Sequence, residues 1–143
     1  MKKAEAHCEA RKIDPNALLT ARLFPDMLPL TRQVQIACDF AKGCGARLAG
    51  VAVPSYEDTE KTFGELQARI AKTLDFIATF KKEQLAGADV RLVTIQAGGQ
   101  DKSMSGTEDL SSFVLPIFYF QVTTSYNILR HNGLGTAKGG SLG

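Results

Sequence analysis

Between Leu30 and Val51 the residues Leu30, Val34, Ala37, Ala41, Cys44, Leu48 and Val51, all apolar or small, recur at an unbroken 4-3-4-3-4-3 spacing. A strand alternates with period two and does not keep that rhythm. The spacing draws one stripe along about six helical turns, and such a stripe needs other helices to cover it. The middle of the stripe (Ala37, Ala41, Cys44) is small, so a neighbouring helix can approach closely there. Gly43 and Gly45 each cost about 1 kcal/mol relative to alanine in a helix interior, a cost that tertiary packing has to offset. Gly50 and Pro54 then supply the stop.

Two further helices follow the same logic. Thr62-Phe63-Gly64-Glu65 reads as a capping box opening a helix that runs to about Phe80. Phe63, Leu66, Ile70, Leu74 and Ile77 face inward on it, and Glu65, Arg69 and Lys72 outward. The short linker between these two helices predicts antiparallel neighbours. The last helix spans about Thr107 to His131, with Glu108 and Asp109 in its first turn, where the helix dipole favours acids, and Asn132-Gly133 as its stop. Its seam is Leu110, Val114, Ile117, Gln121, Thr124 and Ile128, and Pro116 predicts a kink rather than a break because the period resumes beyond it. Between Asp89 and Gly106, Val90, Leu92 and Thr94 alternate before Ala97-Gly98-Gly99-Gln100, the pattern of a small β-hairpin. Asp14-Pro15 and Phe24-Pro25-Asp26 punctuate a loop with room for one short helical turn.

The N-terminus is out of proportion. Met1 to Lys12 reads as a helix of only about three turns, while a four-helix bundle closes on four comparable seams. One wall is therefore expected to be short, uncovering the faces of Val34, Ala41, Ile70 and Ile117. An apolar face of that kind predicts self-association, unless the tail folds back through Leu134 and Leu142. The chain divides into a bundle domain, residues 1–133, and a glycine-rich tail, residues 134–143.

Composition excludes several classes of function. The formal charge of +2 and the short basic runs Lys2-Lys3, Arg11-Lys12 and Lys81-Lys82 do not make a nucleic-acid surface. Three cysteines without a C-x-x-C pair argue for free thiols in a reducing compartment rather than a disulfide framework. The polar opening Met1-Lys2-Lys3 is no signal peptide, and no apolar run is long enough to span a bilayer, so residence in the cytoplasm follows by elimination.

Several stretches resemble an uncharacterised bacterial domain-of-unknown-function family within the DinB-like four-helix-bundle superfamily. They are Ala6-His7-Cys8-Glu9-Ala10-Arg11-Lys12-Ile13-Asp14-Pro15, Ala21-Arg22-Leu23 with Pro25-Asp26-Met27, and Arg32-Gln33-Val34-Gln35-Ile36-Ala37. Arg47-Leu48-Ala49-Gly50-Val51 and Leu66-Gln67-Ala68-Arg69-Ile70 continue the likeness, and Leu115-Pro116, Phe118-Tyr119-Phe120 and Tyr126 to Gly133 close it. The resemblance implies an all-α, DinB-like four-helix bundle with a shortened first helix, a helix order less simple than up-down-up-down, and a small hairpin before the last helix. It also implies a longer N-terminus carrying an apolar first helical stretch, and hence a truncated gene or a misplaced start here.

Members of that superfamily often bind a divalent metal through three histidines, and some are thiol transferases. This chain has only His7 and His131. Relatives often carry histidine where Ser112 and Gln121 stand, and a neutral amide oxygen is a poor zinc ligand. These four residues are the candidates for a remnant pocket, and no resident metal or other cofactor is expected. His131 at a helix C-terminus reads most simply as a dipole-favoured cap, His7 as solvated, and Gln121 and Thr124 as buried polar groups in need of partners. The leading reading is a non-enzymatic or degenerate member acting through self-association or a small ligand. The alternative is a metal-dependent enzyme, for instance a thiol transferase, whose site is completed by carboxylates, cysteine or a second subunit.

Overall fold

The structure, a computed structural model, describes residues 1–135. In chain order these form α1 (Lys2–Arg11), α2 (Pro15–Leu19), α3 (Leu30–Ala49), α4 (Phe63–Ala78), a 3-10 turn (Lys82–Leu85), β1 (Leu92–Ala97), β2 (Gln100–Ser105), α5 (Gly106–Glu108), a π-helical turn (Asp109–Val114) and α6 (Leu115–His131). No helix among the described residues is long and apolar enough to cross a membrane.

The long seam makes α3 the central element. Leu30, Val34 and Cys44 are buried, but so are Gln35, Lys42 and Ala49 on its other sides, because α4, α6 and the hairpin region surround it. Gly50, at φ 69, closes α3 in the left-handed conformation that glycine adopts without strain. Gly45 earns its place by size: a methyl group there would lie 2.8 Å from the Phe80 ring and 3.4 Å from Ile77.

Helix directions follow from who meets whom. Gln35 donates to Glu60, Arg69 reaches Asp39 at 3.0 Å, and Gly45 abuts Ile77 and Phe80. Residue numbers climb together, so α4 runs parallel to α3, not antiparallel as the linker length predicts. The reason is the conformation of the linker. Residues 51–61 form no helix or turn but an extended strap that travels back along the bundle. Eleven residues of extended chain span at most about 40 Å, against about 30 Å for a helix the length of α3. α6 is antiparallel to α3, since Asp109 meets Arg47, Phe113 meets Phe40, and Ile128 shares the core with Leu30. α1 is antiparallel to α4, with Glu5 bonded to Gln67 and Met1 further along beside Ile70. The order is therefore up-down-down-up.

The last helix is continuous from Gly106 to His131 but changes gauge. Pro116 has no N–H, and its ring crowds the preceding turn. The helix answers with the π turn just before it, where the Leu115 N–H bonds the Leu110 carbonyl five residues back. Asp109, the first residue of this turn, is completely buried. Glu108 keeps the expected place, in a capping box with Ser105.

The hairpin pairs Leu92 with Ser105 and Ala97 with Gln100, and Gly98 and Gly99, both at positive φ, make its tight turn. Val93 and Ile95 pack inward, while Val90 and Leu92 stand exposed. A one-residue change of phase exchanges the faces of a strand, and the pleat here follows Val93.

The main core joins Ala4 and Cys8 of α1 to Leu30, Phe63, Leu66 and Ile128. The capping box predicted at Thr62 and Glu65 is present. Two assignments on α4 reverse: Arg69 is buried and Leu74 is 62% exposed. Arg69 faces the strap and α3, and Leu74 borders a face that α1 is too short to reach. Leu134, the first residue of the tail, is buried in the core cluster, while Leu142 lies outside the described residues.

Candidate functional site

The four residues singled out by sequence do not converge. His7 is half-buried against the end of α6, close to Gly133. His131 is exposed in the last turn of α6. Ser112 is exposed on the π turn, and Gln121 is buried about 13 Å further along the same helix axis, at ~1.5 Å per residue. Another ~15 Å separates Gln121 from His131 along the helix. Among the described residues, no three histidine, cysteine or acidic side chains are grouped as a metal set. The residues present thus do not fit the three-histidine site of the superfamily.

The thiols do not supply a nucleophile either. Burial pushes Cys8, Cys38 and Cys44 all upward, and Cys44, with Asp109 beside it as the next largest cause, reaches about 11. All three remain protonated at neutral pH, and it is the thiolate that reacts.

Gln121 and Thr124 are buried as their seam positions predict, but the Gln121 carbonyl oxygen has no hydrogen-bond partner among the described residues. An unpartnered buried amide costs on the order of 1–3 kcal/mol. Gln121→Leu should therefore be neutral or stabilise the fold by about 1 kcal/mol. A loss of more than about 2 kcal/mol in urea denaturation would show that the amide holds an essential bond.

What the fold does assemble is an apolar groove of about 400 Å³ between α4 and α6. Val34, Ala37 and Ala41 of α3 form its floor, and Ile70, Ile77 and Val122 its sides. Met1 stands at one end, so the groove continues the line of α1. Leu74 on its rim and Tyr119, packed against its wall residue Phe118, are 62% and 61% exposed. Of the four residues expected on an uncovered face, Val34, Ala41 and Ile70 line the groove and Ile117 does not.

Two charged assemblies escaped the sequence reading. Arg47 grips Asp109 with two parallel hydrogen bonds of 2.9 Å, and the carboxylate is fully buried. Arg69, also buried, bonds Asp39 on α3 and Asp58, Glu60 and the Glu57 carbonyl on the strap, each at 3.0 Å. Nothing in the sequence pairs Arg47 with a residue 62 positions away, and the helical period alone places Arg69 on the outward face.

Burial would raise the Glu60 carboxyl, but hydrogen bonds from Gln35 and Arg69 outweigh it and hold the group below its ordinary value of 4.5. An acid depressed in the folded state adds stability above its unfolded pKa, and the gain disappears as pH falls through the lowered folded value. Acid titration from about pH 5 downward should therefore weaken the strap, and Glu60→Gln should flatten that limb of the stability–pH curve. An unchanged limb in the variant would assign the acid sensitivity to other carboxylates.

The fold as a whole superposes on that of a solved relative. A crystal structure of a DinB family member protein from Shewanella denitrificans, at 1.83 Å resolution, is 42% identical and superposes with a TM-score of 0.91, over 99% of this chain and 80% of that one. The fold is thus a DinB-like four-helix bundle. The family model described as "Domain of unknown function (DUF1993)" matches residues 1–140, and the chain belongs to that family. No curated protein matches it.

Proposed function

We propose that this DinB-like domain works by binding and assembly rather than by catalysis, and that a second copy of the chain fills its apolar groove. The groove and its neighbours carry this reading. A twofold interface requires one patch to be complementary to itself. Here a concave strip of small side chains (Ala37, Ala41) lies beside exposed Leu74 and Tyr119, so hole and knob share one face. Large aromatic side chains seated in desolvated pockets are what anchor such interfaces. Light scattering at tens of micromolar should return twice the chain mass, and a stable monomer at that concentration would overturn the proposal.

A second reading, a small apolar ligand in the same groove, is favoured by its volume, which falls in the range of about 300–1,000 Å³ typical of ligand sites. It predicts a monomer whose melting temperature rises with added ligand. The metal-dependent alternative needs donors brought by a second copy, and elemental analysis of the untagged protein tests it.

A further inference from the structure

We propose that residues 51–62 form a strap held shut by charged and polar contacts, which opens as a unit while the bundle stays folded. None of these twelve residues is buried, and Val51 and Val53 are 37% and 47% exposed. The hydrophobic effect, which holds the helices, therefore contributes little to the closed strap. Its backbone also lacks the ladder of a helix or sheet: past the Val51 N–H, the only donors that find partners are those of Lys61 and Thr62, which cap α4 through Glu65.

What closes the strap is the Arg69 guanidinium, which takes Glu57, Asp58 and Glu60 from it and Asp39 from α3. Two side contacts support this centre. Arg32 pairs with Asp58. The Tyr56 ring receives the ammonium groups of Lys42 at 3.9 Å and Lys72 at 4.1 Å. Segments with few apolar contacts and little backbone bonding open at a small fraction of the global unfolding free energy.

Opening has a consequence for the surface beneath. Val53 is one wall of a cavity of about 340 Å³ whose aromatic floor is Phe40 against Phe113, with ring centroids 5.5 Å apart. Arg47 and the hairpin residues Thr94 and Gln96 complete it. This depression is already open to solvent, and lifting the strap removes its Val53 wall and widens it into a broader cleft between the bundle and the hairpin.

The test is limited proteolysis of the full chain by a glutamate-specific protease, with cut sites located by mass spectrometry. Arg69→Met should speed cleavage after Glu57 at least tenfold, with cleavage after Glu65 and Glu108 unchanged. Tyr56→Ala, which removes a contact without leaving a buried charge, should give a smaller increase at the same site and carries the test if Arg69→Met does not fold. Cleavage after Glu57 that rises only in step with the sites in α4 and α5 would mean that the strap opens only when the whole bundle unfolds, and would overturn the proposal.

Discussion

Arg47→Met should cost the fold about 3–5 kcal/mol, the usual penalty for stripping one partner from a buried ion pair. The Asp109 carboxylate has no exposed surface, and both of its oxygens are bonded to Arg47. Without the guanidinium it would have to stay charged in a site that excludes water, or take up a proton. The neighbouring Cys44 thiol is too weak a donor to replace two charge-assisted bonds. The double variant Arg47→Met with Asp109→Leu removes the stranded charge along with its partner and should recover most of the loss. Urea denaturation of the wild type, both single variants and the double variant forms the required cycle. If Arg47→Met alone cost less than about 1 kcal/mol, the pair would be an ornament of the surface rather than the pin between α3 and the π turn.

The second large effect is on association. Leu74→Arg combined with Tyr119→Arg should weaken self-association at least a hundredfold. Both side chains project beside the groove, where a second copy would bury them. A buried guanidinium without a partner is costly, and across a twofold axis each substitution occurs twice. Neither residue contributes to the core cluster, so the monomer should keep its melting temperature. Sedimentation equilibrium over a dilution series measures the shift. Association left intact by both substitutions would place the interface on another face.

Much of the helical framework was legible because its signals are local. The seam from Leu30, the Thr62 and Glu65 capping box and the Gly98-Gly99 turn each depend on residues within a few positions of one another, and each forms as its spacing predicts. Val34, Ala41 and Ile70, which the helical period placed on one face, line the groove.

The failures share a different cause. The direction of α4 depends on whether the linker turns or runs extended, and the carboxylates that hold it extended act through Arg69, whose meeting with Asp39 is set by packing across 30 positions. Asp109 reads only as a dipole-favoured first-turn acid, and its bond to Arg47 on α3 exists only once the helices have packed. His7, Ser112, Gln121 and His131 could be named as chemically apt, but no spacing shows that the fold keeps them apart. By itself, then, the sequence determined which segments are helices and about where they start and stop, because hydrogen bonding and side-chain period act along the chain. Only the tertiary structure decided the direction of α4, the burial of two arginines and the separation of the candidate ligands. Those depend on contacts between distant residues, whose energies exist only once the helices have packed.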